Sequence, residues 1–467
     1  MRSSGSVLAL SLVALALASG PAAAGGFYVP GVGPRATAMG GAFVGLADDY
    51  SAVHWNPAGI TQIEGMELTV SAQDVISLAS RDGGVRYEGT MQEDIARYVI
   101  QNVRATSNAD NRVAPGVFFY MDPGPLRGAK LGLTAYTLAE YGSSWDANDV
   151  ADDVLRHAYN YNAWVFEGEP PAYETRVRGY VVSPVVAVKL GPSLSVGVAG
   201  HALYGHVEMT NGGWVEETEL IPGDQGTPDQ WVMHFHPYER SEDLVGWGFG
   251  ATVGALYSLN EDVSFGATVR SPITVGMEGD VRVRSTAAAL QSAAQSEQFD
   301  FTYPMWAGVG VAYRNFLADG IDLTVDLQWT QWGKVAKITR TVESELSYGL
   351  GTTQLDWENT YEVGVGIDYR LTRSTSLYMG YRNAPSPAPD ETYDFFIPQT
   401  DKSVVSFGIG YRQDVWSMDF CLEYQLGVAR EFEVAKNVFT IGTNGEDVTD
   451  KNFEDIMIPS LSFTYGF

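Results

Sequence analysis

Across 467 residues the chain holds one cysteine, Cys421, and only six histidines. It is also short of positive charge, with 29 Lys and Arg against 57 Asp and Glu and a net charge of −28. A single cysteine excludes an intramolecular disulfide, and with so few scattered histidines it argues against a Cys/His metal site. Phosphate neutralisation needs the opposite charge balance, so the composition argues against a nucleic-acid partner. After the first two dozen residues no uninterrupted apolar run reaches the ~20 residues that a helical membrane span needs, which excludes that class. What is abundant is glycine, 51 residues, and aromatic side chains, 25 Tyr, 20 Phe and 11 Trp. Length alone suggests two or three soluble domains, but a barrel uses more residues per domain.

The amino terminus fixes the compartment. Arg2 gives a positive start, residues 7–18 (VLALSLVALALA) form an apolar run, and Ala22, Ala23 and Ala24 offer a small-residue cleavage site. Residues 1–24 therefore read as a cleaved secretory signal peptide. The alternative, a membrane anchor, needs a longer run and stop-transfer charges.

From Met66 onward the chain repeats period-2 alternation, the pattern of strands with one apolar and one polar face. In residues 361–370, Tyr361, Val363, Val365, Ile367 and Tyr369 share one face, and Glu362, Gly364, Gly366, Asp368 and Arg370 the other. Leu323, Val325, Leu327 and Trp329 repeat the pattern against Asp322, Thr324, Asp326 and Gln328. The rule predicts roughly fourteen strands, an even number in the range of outer-membrane barrels. They fall near residues 66–80, 113–121, 129–142, 173–190, 194–211, 247–259, 262–285, 303–315, 321–344, 360–371, 375–385, 402–413, 416–434 and 455–467. Short connections, such as residues 191–193, 260–261, 372–374 and 414–415, alternate with long ones at 81–112, 143–172, 212–246, 286–302 and 435–454. That rhythm is what an up-and-down transmembrane barrel requires. A soluble sandwich or propeller also alternates, but with shorter strands and less apolar outward faces. Pro184, Pro272, Pro304 and Pro459 fall within or at the start of strands and should mark kinks, bulges or strand starts.

The carboxylates cluster in the long connections, Asp146, Asp149, Asp152, Asp153, Glu167 and Glu169 in one and Glu216, Glu217, Glu219, Asp224, Asp229, Glu239, Glu242 and Asp243 in the next. The plain expectation is a solvated surface. Divalent-cation bridging to an anionic outer leaflet is the sharper alternative, without ligand spacing to support it. The same connections carry Trp145, Tyr159, Tyr161, Trp164, Phe166, Trp214, Trp231 and Phe235, a candidate capture surface for apolar solutes or, equally, an interfacial aromatic girdle. His234 and His236 share a face in a position read as loop, more in keeping with solvation than with metal binding.

Residues 25–65 do not alternate and are rich in Ala and Gly, and an intermediate barrel has a lumen that can take a plug. Pro57 confines Asn56 to an extended conformation from which its amide can bond neighbouring backbone. Gly40, Gly41 and Gly45 permit close packing or positive φ. Arg35, Asp48 and Asp49 need partners in a lumen, and Asp322, Asp326, Glu362, Asp368, Arg370 and Arg382 face inward.

This segment, GFYVPGVGPRATAMGGAFVGLADDYSAVHWNPAGI, closely resembles the hatch of the FadL/TodX-like outer-membrane transporters of long-chain fatty acids and aromatic hydrocarbons. The matching positions are Gly26-Phe27, Arg35-Ala36, Gly40-Gly41-Ala42, Ala47-Asp48-Asp49, Ser51-Ala52 and Asn56-Pro57-Ala58-Gly59. Fainter echoes lie at Arg270-Ser271-Pro272, Gly279-Asp280, Asp326 with Trp329, Trp332-Gly333, residues 385–389 and the terminal Phe467.

The resemblance implies an all-β transmembrane antiparallel up-and-down barrel, residues 66–467, with a hatch at 25–65, in the outer membrane of a Gram-negative bacterium. It implies capture of a hydrophobic solute by outer loops, an apolar lumenal pocket, and lateral exit at a kinked third strand, here near Tyr141 and Gly142, where glycine would allow a bulge. No enzymatic activity, cofactor or metal is expected. The implied partners are the hydrophobic ligand, outer-membrane lipids and lipopolysaccharide, and the barrel-assembly machinery through Phe467, with the protein a monomer. A diffusion porin for small hydrophilic solutes and an outer-membrane lipid hydrolase remain as alternatives. The first must account for the plug, and the second needs a nucleophile beside a base.

Overall fold

The computed structural model describes residues 26, 28, 31–91, 94–106, 112–124, 128–145, 164–166, 173–222, 230–285, 295–335, 337–339, 341–342, 352–390, 400–433 and 449–467. Residues 1–24 and Phe27 lie outside that set. Fourteen antiparallel wall strands close on themselves. In chain order they are β1 (Glu67–Met91), β2 (Arg112–Met121), β3 (Ala129–Trp145), β4 (Tyr173–Lys189), β5 (Leu194–Ile221) and β6 (Gln230–Ser258). Next come β7, in two halves (Val263–Arg270 and Ile273–Ser285), and β8, also in two halves (Gln295–Tyr303 and Trp306–Tyr313). The circuit ends with β9 (Ile321–Thr330), β10 (Thr360–Arg370), β11 (Thr375–Ala384), β12 (Lys402–Gln413), β13 (Trp416–Gly427) and β14 (Thr449–Gly466), which pairs with β1.

Alternation becomes a lipid-facing belt. Along β10, Tyr361 and Tyr369 are exposed while Glu362, Gly364, Gly366 and Asp368 are buried toward the lumen. Phe249, Val253, Phe265, Val309, Phe407, Ile409 and Phe463 are likewise exposed large apolar side chains. Such a surface is stable in hydrocarbon and not in water. Pairing of β14 with β1 also removes the two terminal sheet edges, which a medium without hydrogen-bonding partners could not satisfy.

The prolines act as the missing ladder donor requires. Ser271-Pro272 divides β7 and Pro304-Met305 divides β8. The β4–β5 rungs skip Pro184, and the β1–β14 rungs skip Pro459.

Strand lengths are where the sequence reading needs correction. Residues 81–112 are not simply a connection: β1 continues to Met91 and pairs with Asp94–Thr106. Residues 212–246 are largely a paired hairpin, because β5 and β6 remain in register out to Ile221↔Gln230. This places His234 and His236 on a strand. Residues 286–302 contain the outer half of β8. Outside the bilayer a hairpin is wetted on both faces, so it needs no alternating hydrophobicity to pair. In the opposite sense, β9 ends at Thr330 rather than near 344, and a 3-10 turn, Trp332–Val335, follows.

Residues 31–63 pack against the inward face of the wall and are almost wholly buried. They contain two short helices, α1 (Pro34–Ala38) and α2 (Ala52–Trp55), followed by a 3-10 turn, Pro57–Gln62. Pro34 starts α1 where an absent N–H costs nothing. Asn56 is extended (φ −158°, ψ 101°), and its side chain accepts from Ala58 N at 3.2 Å, capping the 3-10 turn.

Candidate functional site

A backbone folded inside a barrel must have its polar groups satisfied there. Wall side chains do this. Asp326 Oδ2 accepts from Val44 N at 2.6 Å, Gln328 Nε2 donates to Gly41 O at 2.8 Å, and Ser264 Oγ donates to Gly45 O at 2.7 Å. Ser406 Oγ donates to Ala38 O at 3.1 Å, and Tyr120 Oη to Tyr50 O at 2.6 Å. Asn56 Nδ2 returns the favour, donating to Val44 O at 3.0 Å and to Ala255 O on β6 at 2.9 Å.

The sequence-predicted charges meet. Arg35 donates to Asp368 Oδ2 through Nε (3.0 Å) and Nη2 (2.9 Å), and its Nη1 reaches Asp48 at 2.5 Å and Asp49 at 3.9 Å. Asp49 also accepts from Ser51 N at 2.8 Å and Ser51 Oγ at 2.6 Å. Burial nevertheless wins for Asp49 and pushes its pKa up to about 6, against the opposing pull of Arg35 and Ser51. Of the other inward carboxylates, Glu362 pairs with Arg382 at 3.8 Å, while Asp322 accepts from Asn315 N at 3.0 Å and faces Arg370 at 3.7 Å.

Much of the glycine content belongs to this contact. Gly40 and Gly41 have φ of +65° and +69°, conformations open to glycine at little cost. On the wall, a Cβ at Gly266 would strike Val44 O, and one at Gly380 would strike Gly40 N, so backbone lies directly on backbone.

Among the described residues the wall lacks ladder rungs over part of the β2–β3 seam. The β2–β3 ladder runs only from Gly116↔Tyr136 to Met121↔Leu131. Above it, among the described residues, residues 112–115 share ladder rungs with β1 and residues 139–145 with β4, but not with each other. A register shift between Thr137 and Ala139 bulges Leu138 out of the ladder, and Tyr28 forms an isolated bridge with Ala139. The bulge therefore lies four residues before Gly142, which corrects the expectation that glycine supplies it. Residues 137–142 are all buried, so alternation itself has lapsed here. Gly142 instead makes room for Arg112, whose Cζ would lie 2.8 Å from a Cβ at that position.

Behind this gap lies a cavity of about 80 Å³ lined by Gly26, Tyr28, His54, Trp55, Arg112, Glu140, Tyr141, Gly142, Arg270 and Trp306, with Glu362, Arg382, Lys402 and Glu454 on the far wall. Its aromatic side is tightly built: the Trp55 and Trp306 rings are 6.4 Å apart, and His54 stands edge-on to Trp55 at 4.9 Å and to Tyr136 at 5.9 Å. Tyr28 Oη donates to Pro304 O at 2.8 Å, and its ring lies 5.6 Å from Trp332. A wider polar opening of about 530 Å³ lies at the short-turn end, lined by Arg35, Asp48, Asp49, Glu64, Glu67, Arg412 and Asp414.

The cavity thus brings together Tyr141, Gly142 and the hatch, and no side chain of the aromatic capture set is among the described ones. Tyr159 and Tyr161 lie outside the described residues. Of the others only the backbone is described: Trp164–Phe166 runs parallel to Met233–Phe235, and Trp214 and Trp231 sit on the β5–β6 hairpin. His234 and His236 each face a carboxylate across that hairpin, Glu219 and Glu217, both at 3.3 Å. No group of three metal-ligating side chains occurs among the described residues. His201 lies 2.7 Å from both Ser183 Oγ and Thr252 Oγ1, a buried tie across three wall strands without a carboxylate. Alternation and motif matching did not single out Tyr28, Leu138, Arg112 or the His54–Arg270 contact. The sequence signals for Arg270 are its place before Ser271-Pro272, where a strand break gathers residues from both halves, and its standing with Arg370 and Arg382 as an inward cation that could meet a ligand carboxylate.

Comparison with known proteins gives a consistent set of likenesses. The sequence profile of the family described as "Outer membrane protein transport protein (OMPP1/FadL/TodX)" matches residues 15–467. The chain is 22% identical to outer membrane protein P1 of Haemophilus influenzae (strain Rd) over 92% of each chain. It is 22% identical to the long-chain fatty acid transport protein of Escherichia coli O6:H1 over 97% of each. In structure it is similar to a Pseudomonas aeruginosa FadL homologue (TM-score 0.71, 16% identity, 95% of this chain and 100% of that one). It is similar too to the toluene transporter TodX of P. putida (TM-score 0.67, 14% identity, 94% and 99%).

Proposed function

Because the chain belongs to the OMPP1/FadL/TodX family of outer-membrane transport proteins, channels and transporters rather than enzymes, we propose that it takes up hydrophobic small molecules, long-chain fatty acids or aromatic hydrocarbons, and releases them sideways through the wall between β2 and β3. The observation that carries this reading is the upper stretch over which β2 and β3 share no described ladder rung, with the Leu138 bulge beside it and the partly aromatic cavity behind it. An apolar solute gains nothing from a water-filled pore, whereas an apolar pocket that opens toward lipid keeps it out of water throughout.

Residues 25–65 act as the hatch, with Asn56 and the Arg35–Asp48–Asp49–Asp368 cluster as anchors. At about 80 Å³ the cavity is smaller than the ~150 Å³ that admits benzene. Passage therefore requires movement, and the segment held by the Tyr28–Ala139 bridge and the Tyr28–Pro304 hydrogen bond is the part placed to move. Capture by the outer aromatic residues precedes this step. Docking of the hatch by side chains from many wall strands disfavours the diffusion-porin alternative.

The test is uptake. Cells expressing the chain should accumulate radiolabelled oleate or toluene faster than cells without it; equal rates for every hydrophobic solute tried would contradict the proposal.

A further inference from the structure

Where β2 and β3 share no described rung, a side chain crosses between them. Arg112, the first residue of β2, takes the inward side of that strand's alternation and is only 5% exposed. Its Nε and Cζ would stand 2.5 and 2.8 Å from a Cβ at Gly142, so the guanidinium lies directly on the β3 backbone, at a position where a side chain would exclude it. Gly142 and Glu140 share one register on β3, opposite Arg176 and Arg178 of β4. The next residues of β4 on that register, Tyr180 and Val182, are exposed, whereas Glu140 is buried.

Glu140 is surrounded by cations. Arg178 Nε lies 3.7 Å from its carboxylate, and the charges of Arg112 and Arg176 act on it as well. Arg178 also serves Glu208 at 2.9 Å, and Arg176 serves Glu174 at 3.1 Å, so Glu140 draws on Arg112 for part of its compensation. Arg112, Glu140, Tyr141 and Gly142 all line the cavity, and a solute larger than its volume of about 80 Å³ presses on them on its way to the seam. A full ladder of backbone hydrogen bonds would close the seam permanently. One arginine closes it reversibly, because it moves by rotamer changes while both strands stay in place.

We propose that Arg112, held by Glu140, latches the seam between β2 and β3, and that its withdrawal limits the release of apolar solutes into the bilayer. Arg112 acts here as a positioning residue and does not bind the solute. Loss of the Glu140 charge leaves Arg112 facing two like charges, Arg178 and Arg176, and drives it out of the seam. The inference rests on the uptake reading and adds a moving part on the wall, distinct from the hatch.

The test measures initial uptake of radiolabelled toluene and of radiolabelled oleate, at saturating concentration, by cells carrying equal amounts of barrel shown to be folded by heat-modifiable gel mobility. Arg112→Ala and Glu140→Gln should each raise both rates at least about tenfold, a change of about 1.4 kcal/mol. The double variant should be no faster than either single one, because the two side chains act as a unit. Arg112→Lys keeps the charge and its attraction to Glu140, and should remain close to wild type. A rate at or below wild type in Arg112→Ala or Glu140→Gln, multiplying effects in the double variant, an Arg112→Lys rate as high as that of Arg112→Ala, or acceleration of oleate alone would overturn the latch while leaving uptake intact. Uptake by wild type no faster than by cells without the chain would overturn the uptake reading itself.

Discussion

Replacing Gly380 by alanine adds a single carbon, and the structure places that carbon on the hatch. Gly380 lies on β11, and its Cβ would overlap Gly40 N and stand 2.7 Å from Gly40 Cα. Carbon atoms rest at about 3.5–4.0 Å, so the hatch backbone must retreat by roughly 1 Å. Overpacking of this kind costs about 1–3 kcal/mol. The retreat also stretches the Gln328–Gly41, Asp326–Val44 and Ser406–Ala38 hydrogen bonds, each contributing about 1 kcal/mol. Docking of the hatch should weaken by about 3–5 kcal/mol, while the strand, which accepts alanine readily, stays intact. The control is Gly200→Ala on β5, where the nearest atom to the new Cβ is Pro184 Cγ at 4.0 Å. Limited proteolysis of the purified barrel reads the population of undocked hatch, and about 3 kcal/mol corresponds to roughly 100-fold faster cleavage within residues 25–65. Heat-modifiable gel mobility confirms that the barrel is closed. Cleavage of Gly380→Ala at the rate of Gly200→Ala would refute the backbone-on-backbone contact.

Asn56→Leu leaves Val44 O, Ala255 O and Ala58 N without their partner, and should undock the hatch by about 3 kcal/mol or more in the same proteolysis assay. Arg35→Met strands the Asp48 and Asp368 carboxylates, a change of about 3–5 kcal/mol, and should raise conductance in planar bilayers above that of wild type. Asp49 is raised from 3.8 to about 6, so the folded hatch binds the proton more tightly than the unfolded chain. Docking is therefore firmest below about pH 4, weakens through pH 4–6 and is weakest above 6, and proteolysis of wild type should be slower at pH 5 than at pH 8. Cys421 is fully buried, so maleimide labelling should wait for denaturation.

The barrel was legible because hydrocarbon outside and a polar lumen inside impose a strict period of two, as at Tyr361–Arg370, and because Pro272 and Pro304 announce their own strand breaks. The outer halves of β5 and β6 were not legible, since a wetted hairpin pairs without alternation. The Arg35–Asp368 pair was foreseeable as a buried charge in need of an inward partner. The site was harder to see. Tyr28, Ala139, Arg270 and His54 are brought together by the docking of the hatch, and Gly142 was misjudged because a glycine in a strand signals equally a bulge and the close passage of a neighbour, here Arg112.

The lateral route is tested most directly by filling its gap. Leucine at Gly142 occupies the space between β2 and β3 that Arg112 now crosses. In cells expressing equal amounts of folded barrel, Gly142→Leu should reduce uptake of radiolabelled oleate at least about tenfold, while the purified variant still binds the ligand. Uptake at the wild-type rate in a variant shown to be folded and filled would contradict exit through the wall.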